Sequence, residues 1–278
     1  LGLAPAVASA RLSKLEKQVG ADLLHRSTRK VSLSIEGEEF LPFAREILAQ
    51  EDAAHAALGH SSSTVTGTLR LAASSTFAQL HIAPILPEFL ERYPGVNLQL
   101  NLSDTQMNLI EGGFDLALRN SVLEDSSLRA RKLAEDQRIL CASPDYLARH
   151  GTPKTPADLS NHQILAFMDP SVRKLVDANG QAHGTFPPTG TTNRAVFDDG
   201  ACMRIATVAG VGISVNAYWS AYQEIQNGAL VRVLPDYELE DEAAIWLVYP
   251  KSNVLTAKVR VFIDYLIEKI GDPPVWER

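Results

Sequence analysis

Positive charge is concentrated at the start of this chain. Residues 1–30 carry six basic and two acidic side chains, a net charge of +4, whereas the whole 278-residue chain carries −7. A cluster of cationic side chains suits binding to a polyphosphate, and nucleic acid is the usual polyphosphate partner of a basic segment. The basic residues are Arg11, Lys14, Lys17, Arg26, Arg29 and Lys30.

A helix and a hairpin are predicted to position these basic residues. Pro5 suits the first turn of a helix, and apolar residues recur at helical spacing over Val7–Val19 until Gly20 ends the run. Ser9 and Arg11 fall off the apolar stripe, and the segment after Gly20 alternates enough to form a short basic hairpin. A helix in the major groove followed by a basic β-wing is the winged form of helix-turn-helix recognition. An ordinary amphipathic helix with a solvated charged face explains the helical pattern equally well.

A long helix is predicted over residues 36–58, where apolar residues such as Phe40, Phe43 and Ile47 recur at intervals of three and four. The stripe is narrow and no adjacent segment offers it a partner, which favours packing on a second copy over packing on its own domain. The polar, Ser-rich residues 60–66 predict a domain boundary.

Strands and helices alternate from residue 67 onwards, an order typical of an α/β domain with a parallel sheet and helices on both faces. One interruption divides this order into two halves, so we expect the second half to be inserted into the first. Lobe I is predicted to comprise 67–140 and 247–278, and lobe II to comprise 141–246. Two strands that cross from one lobe to the other form a hinge. A small ligand would bind in the cleft between the two lobes.

Candidate ligand-binding residues lie where the predicted strands end, because open α/β sheets bind ligands at the carboxyl ends of their strands. Hydroxyls at a helix start suit a carboxylate or another anion, although such residues can equally serve as plain helix caps. Arg119 could clamp an anionic group or form a structural ion pair. The candidates are Ser74, Ser75, Thr76, Phe77, Ser103, Arg119, Asn120 and Asp199.

The composition, 45% hydrophobic and 21% charged, is that of a soluble globular protein. No apolar run is long enough to cross a membrane, and no charged-then-apolar leader begins the chain, so we expect a cytoplasmic protein without a membrane partner. Cys141 and Cys202 are single cysteines on apolar segments, and we predict that both are buried, reduced thiols.

Catalytic and metal-binding patterns are missing from the sequence. Its seven histidines are scattered, and it contains neither HExxH nor CxxC. It also lacks a GxSxG nucleophile motif, a P-loop and a GxGxxG loop. We therefore expect no enzyme activity, no bound metal and no cofactor.

Residues 1–38, LGLAPAVASARLSKLEKQVGADLLHRSTRKVSLSIEGE, resemble the DNA-binding head of the LysR-type transcriptional regulators without a gap. Four features match the motif of that family: the helix, Gly20, the basic wing and the S-L-x-x-x-G-E entry to the next helix. The resemblance continues through LRLAASSTF, FDLALR and VAGVGIS, which are similar to the effector-binding domain of that family. It implies an α/β architecture with a winged helix-turn-helix at 1–35, a linker helix at 36–60 and a two-lobed domain that resembles type 2 periplasmic binding proteins.

The resemblance also implies which residues carry function. In the head these are Pro5, Ser9, Arg11, Thr28, Arg29 and Lys30, with Arg29 in the minor groove and Arg11 and Lys30 on phosphates. Ala10 departs from the family, which usually has Arg or Lys there. The helices that precede the recognition helix are missing, so we expect the sequence to be incomplete at its N-terminus. Where the family often continues with Leu-Pro after the last inner strand, this chain has residues 215–219, so Asn216 and Trp219 are candidate determinants of its own ligand. We add Asn216 to the candidate effector contacts.

The expected function is that of a DNA-binding transcriptional regulator. A small-molecule effector, with anions as one candidate class, would bind in the cleft and alter the spacing of two heads in a homodimer, or in the homotetramer that the family often forms. The alternative is a small-molecule-binding module without DNA-binding function. Affinity for double-stranded DNA that falls steeply with salt distinguishes the two.

Overall fold

The computed structural model describes residues 5–26, 31–57, 65–103, 112–120, 128–168, 172–190, 193, 195–241, 243–251 and 255–278. These residues belong to two compact units. The first is Leu1–Ser63 with Ser252–Ala257, and the second is Thr64–Lys251 with Lys258–Arg278. The sequence also predicts a short helix at residues 107–111, and these residues lie outside the described ones.

The first unit contains a helix, a hairpin and a long helix, as predicted. Helix α1 (Pro5–Val19) ends at Gly20, whose φ of 74° suits glycine. Strands β1 (Leu24–Arg26) and β2 (Val31–Leu33) pair antiparallel. Helix α2 (Ile35–Ala57) then begins where Ser34 Oγ accepts a 2.9 Å hydrogen bond from Gly37 N. The apolar side chains of Phe43, Ile47 and Leu48 on α2 are 60–65% exposed.

The second unit contains a five-stranded sheet with the order β4-β3-β5-β15-β6. The first three strands are parallel, as predicted, whereas β15 runs antiparallel to β5 and β6. The bounds are β3 Gly67–Ala73, β4 Val96–Leu102, β5 Leu116–Asn120, β6 Leu128–Glu135 and β15 Ala244–Pro250. Strand β6 was not predicted, because most of its side chains are exposed and give no apolar alternation.

Helical segments cover this sheet. A run of short segments follows β3: α3 (Ser75–Phe77), a π-helical turn at Ala78–Ile82, a 3₁₀ turn at Ala83–Ile85 and α4 (Leu86–Arg92). Helix α8 (Ala257–Ile270) packs against this run, with Phe262 edge-on to Phe89 at 5.0 Å between ring centroids. A last 3₁₀ turn, Val275–Glu277, carries the buried Trp276.

Smaller sheets form the rest of the second unit. Strand β7 lies between β12 and β13, β9 lies between β10 and β14, and β8 pairs with β11. The strands are β7 Arg138–Ala142, β8 Leu165–Phe167, β9 Arg173–Val176, β10 Ala182–Phe186, β11 Ala195–Phe197, β12 Ser214–Ala217, β13 Val231–Arg232 and β14 Glu238–Leu239. The helices are α5 Pro144–His150, α6 Gly200–Val208 and α7 Tyr218–Gln226, with a 3₁₀ turn at Pro156–Asn161.

The expectation of a parallel sheet is wrong for the sheet around β7. Both β12 and β13 run antiparallel to β7, so they are parallel to each other and α7 is the crossover between them. Strand β7 runs in the opposite direction because it brings the chain in from the five-stranded sheet. Strands β8 and β11 pair in parallel, and a parallel bridge also joins Ile164 to Ile213.

Two segments connect the five-stranded sheet to the smaller sheets. Residues 136–137 lie between β6 and β7, and residues 240–243 lie between β14 and β15. The two segments touch where Asp136 N donates a 3.3 Å hydrogen bond to Ala243 O. We use lobe I for the part built on the five-stranded sheet and lobe II for the part built on the smaller sheets. The lobe boundaries predicted from sequence stay a prediction.

The two cysteines differ in their surroundings. Cys141 is fully buried on β7, and burial raises the pKa of its thiol to about 12. The prediction that Cys202 is buried is wrong, since its side chain is exposed on α6. The buried side of α6 is formed by Ala201, Met203 and Thr207 instead.

Candidate functional site

The predicted DNA contacts of the head fall partly on α1. Pro5 is the first residue of this helix, and the side chains of Ser9 and Arg11 are exposed on it. Basic residues of α1 are therefore accessible, while apolar residues such as Leu12 are partly buried. The predicted wing residues Thr28, Arg29 and Lys30 lie outside the described residues.

The start of α3 carries four of the predicted effector-binding residues. Ser74 is the N-cap of the helix, and its Oγ accepts a 3.3 Å hydrogen bond from Phe77 N. The Ser75 side chain is partly buried. Thr76 is only 4% exposed, and its Oγ1 finds no hydrogen-bond partner among the described residues. A buried hydroxyl without a partner is destabilising, so this segment carries an unused hydrogen-bonding group.

Asp199 joins this segment to lobe II. It is the N-cap of α6, where its Oδ1 accepts a 2.7 Å hydrogen bond from Cys202 N. Its Oδ2 accepts a hydrogen bond from Ser75 Oγ, which comes from lobe I. Burial raises the pKa of Asp199, but these hydrogen bonds outweigh burial and lower its pKa below the ordinary value. A carboxylate therefore connects the two lobes.

Other candidates lie at the same edge of the five-stranded sheet. Asn120 is the last residue of β5, which is parallel to β3, so Asn120 and the segment that carries Thr76 lie at the carboxyl ends of neighbouring strands. The buried Oδ1 of Asn120 has no partner within the described part of the chain. Arg119 is partly buried and lies opposite Trp246 of β15. Ser103 N donates a 3.0 Å hydrogen bond to Ala73 O and so continues the pairing of β3 with β4.

Asn216 is buried within lobe II, with 4% of its surface exposed. Its Nδ2 donates a 2.7 Å hydrogen bond to Ser214 Oγ, and Ser214 Oγ lies 2.6 Å from Thr207 Oγ1. Thr207 Oγ1 in turn donates to Met203 O at 2.7 Å. This chain of polar groups ties β12 to α6.

Phe77 is fully buried in an aromatic cluster formed by Phe77, His81, Trp219 and Trp276. Its ring centroid lies 5.1 Å from that of Trp219 and 6.3 Å from that of Trp276, in edge-on arrangements. His81 lies 4.9 Å from both Phe77 and Trp276, and its Nε2 is 3.1 Å from Trp219 O. Because Trp219 belongs to α7 and the other three residues to lobe I, the cluster joins the two lobes.

A buried carboxylate anchors this cluster to the crossing segment. Asp136, 3% exposed, accepts a 2.7 Å hydrogen bond from Trp219 Nε1 and a 2.6 Å bond from Arg138 Nη2. Burial is the largest influence and raises the pKa of Asp136. Asp136, His81 and Trp276 were missed by sequence reasoning, since no spacing pattern connects residues that are so far apart along the chain.

Models of two protein families match this chain. Residues 62–271 match the LysR substrate binding domain, and residues 1–38 match the bacterial regulatory helix-turn-helix protein of the lysR family. The chain belongs to the LysR family of transcriptional regulators. It is therefore a DNA-binding transcriptional regulator whose DNA binding is modulated by a small-molecule effector.

Relatives match this LysR-type regulator along most of their length. It is 32% identical over 275 residues to the HTH-type transcriptional regulator CrgA of Neisseria meningitidis serogroup C, covering 98% of this chain and 90% of the relative. It is 34% identical over 274 residues to the HTH-type transcriptional repressor PA14_22550 of Pseudomonas aeruginosa, covering 99% and 86%.

Solved structures agree with this assignment. The structure of CrgA from Neisseria meningitidis has a TM-score of 0.68 and 31% identity, with 97% of this chain and 90% of that chain covered. The full-length Vibrio cholerae virulence activator AphB has a TM-score of 0.63 and 27% identity, with 96% and 90% covered. The regulatory part of this LysR-type regulator thus has the periplasmic-binding-protein-like fold of its family.

The described residues offer neither a metal site nor a membrane-spanning helix. No group of three or more His, Cys, Asp or Glu side chains within the described ranges is arranged to hold a metal ion. Among the helices that the structure describes, none is both long and apolar enough to cross a membrane.

Proposed function

We propose that this LysR-type regulator binds its effector at the carboxyl edge of the five-stranded sheet, next to Ser75, Thr76 and Asn120. The observation that supports this best is that Thr76 Oγ1 and Asn120 Oδ1 are buried there without partners among the described residues. Buried polar groups are normally satisfied, so unpartnered ones at a lobe edge are expected to bind a ligand. Ser74, Phe77, Ser103, Arg119, Asp199 and Asn216 complete the proposed set.

The effector is proposed to act through the relative position of the lobes. Asp136 and the aromatic cluster connect the lobes at their crossing segments, so a ligand that favours one lobe arrangement changes the strain on those contacts. A coupling free energy of about 1–3 kcal/mol is enough for a moderate regulatory effect.

The head is proposed to contact DNA through Pro5, Ser9 and Arg11 on α1 and through Thr28, Arg29 and Lys30 of the wing. Arg11 supports this proposal because it is exposed on the helix that matches the family's helix-turn-helix. In the homodimer, α2 is proposed to pack on its copy, and a homotetramer would pair two such dimers. We also propose a cytoplasmic location and no catalytic activity, in keeping with relatives that are transcriptional regulators.

A DNA titration tests the regulator function. The full-length gene product would be titrated into a fluorescein-labelled duplex at two salt concentrations, beside Arg11→Ala and the matched control Gln18→Ala, an exposed uncharged residue of α1. We expect Arg11→Ala to weaken binding and to reduce the salt slope by about 1, the value for one lost phosphate contact. The absence of any salt-dependent binding to the duplex would favour a ligand-binding module without DNA function.

A further inference from the structure

Asp199 does more than cap a helix. One carboxylate oxygen accepts the backbone N–H of Cys202 within lobe II, and the other accepts the hydroxyl of Ser75 from lobe I. Ser75 is the first residue of α3, and only the N-cap Ser74 separates it from the end of β3. Strand β3 lies between β4 and β5 in the sheet. This is the edge at which open α/β sheets bind ligands. A carboxylate of the chain itself therefore occupies a hydrogen-bonding position of the proposed effector site.

The neighbouring groups suit the same interpretation. Thr76 Oγ1, one residue from Ser75, is buried and has no partner among the described residues. The Ser75 hydroxyl is already engaged by Asp199. A carboxylate ligand that bound to Ser75 would meet the Asp199 carboxylate at close range, and like charges repel strongly in a partly buried site. The two carboxylates therefore exclude each other at Ser75.

We propose that Asp199 is a built-in substitute for the carboxylate of the effector, which links the lobes through Ser75 until an effector carboxylate takes its place. This inference rests on the proposed effector site and adds the ligand class and the contact that the ligand must displace. A neutral effector could bind beside Asp199 and leave the link intact, whereas a carboxylate could not. Displacement breaks the link between the start of α3 and the start of α6. The cleft then has two states, one with Asp199 bonded to Ser75 and one with the effector carboxylate bonded to Ser75.

Chemical rescue tests the substitute role. Asp199→Ala removes the internal carboxylate from the full chain, and acetate is the probe that could replace it. We expect Asp199→Ala to lower the Tm by about 2–4 °C, the size expected for roughly 1 kcal/mol in a domain of this length. Added acetate should restore part of this loss, whereas acetamide with the same shape, or chloride at equal ionic strength, should not.

Two controls define the site. Asp198→Ala removes the adjacent exposed carboxylate, and acetate should change its Tm no more than that of the wild type. The double variant Ser75→Ala with Asp199→Ala should lose the rescue, because the hydroxyl that binds the acetate is gone. Rescue that persists in the double variant, or that is equal in the wild type, would overturn the proposal.

A second measurement covers the case in which Asp199→Ala does not fold. Ser75→Ala keeps the α6 cap and removes the hydroxyl that donates to Asp199 from lobe I. We expect faster hydrogen exchange at residues 199–203 and 74–78 than in the matched control Ser160→Ala, an exposed serine whose hydroxyl bonds only locally to Ala157 O. Unchanged exchange would refute the link. A negative result in the acetate rescue or in the hydrogen-exchange experiment would not contradict the regulator function, because the DNA titration tests that function separately.

Discussion

The indole Nε1 of Trp219 donates a 2.7 Å hydrogen bond to Oδ1 of Asp136, and this bond joins α7 of lobe II to the segment that leaves lobe I. Both groups are almost completely buried. Arg138 Nη2 binds the second oxygen of the same carboxylate, so Asp136 is paired on both sides. This buried carboxylate at a crossing point resists rearrangement, because movement of α7 takes the indole donor away from Oδ1 and leaves that buried oxygen without a hydrogen bond.

Trp219→Phe should weaken this connection. Phenylalanine keeps most of the aromatic packing against Phe77 and His81 but leaves Oδ1 of Asp136 without its donor. We expect a loss of about 1–3 kcal/mol in the free energy of unfolding, measured by urea denaturation. Trp246→Phe on β15, a half-buried indole outside the aromatic cluster, is the control. Equal losses in both variants would show that the loss reflects indole size and not the bond to Asp136.

His81 should make stability depend on acidity. Burial lowers the pKa of His81 below its ordinary value, although its hydrogen bond with Trp219 O acts in the opposite direction. The native state therefore binds this proton less readily than the unfolded chain does, so stability falls as the pH drops from the ordinary histidine range towards the native pKa. His81→Gln, which can still donate to Trp219 O but does not titrate, should flatten the acidic limb of a plot of Tm against pH.

The control for that measurement is His25→Gln, because His25 is exposed in the first unit. The acidic limb of the plot of Tm against pH should be the same for His25→Gln as for the wild type. If His81→Gln has the same limb as the wild type, then other groups determine the acid response.

Thr76→Val should stabilise the protein. Valine has nearly the same shape and removes the buried hydroxyl that has no partner among the described residues, so we expect a gain of about 1 kcal/mol in the free energy of unfolding. Thr207→Val is the matched control. It should lower the free energy of unfolding, because Thr207 Oγ1 bonds to Met203 O and Ser214 Oγ and valine cannot make these bonds. Thermal unfolding of the two variants would check the pair. A destabilised Thr76→Val variant would mean that its hydroxyl is satisfied in solution.

Ile47→Glu should disrupt self-association. Phe43 and Ile47 are spaced four residues apart on α2 and are 64% and 65% exposed, so they form one apolar stripe. A buried glutamate pair across a helix dimer is strongly unfavourable, and sedimentation velocity should show a smaller species for this variant. Glu38→Gln, in the first turn of α2, should sediment like the wild type. An unchanged oligomer would place the interface elsewhere.

The sequence predicted the elements whose signals are local. The bounds of α1 and α2 follow closely from apolar spacing, and Gly20 ends α1 as predicted. Strand β6 escaped prediction because its exposed, charged side chains do not alternate. Strand direction around β7 could not be predicted either, since it depends on how the chain enters lobe II and not on the residues of the strand.

The site was predictable in outline and not in its contacts. The rule that ligands bind at strand ends selected Ser75 and Asp199 separately, yet the hydrogen bond between them joins positions 124 residues apart. The partnership of Asp136 with Trp219 spans 83 residues and has no local signature. Pairings of this kind depend on tertiary structure, which a single sequence does not display.

The length of α2 has a mechanical consequence. Its 23 residues form a rod of about 34 Å at the usual helical rise. Pivoting such a rod by about 10° at one end displaces the other end by about 6 Å, which exceeds the spacing of roughly 3.4 Å between successive base pairs along DNA. A rotation too small to disturb the helix itself is therefore enough to shift whatever its far end carries by more than one step of the double helix.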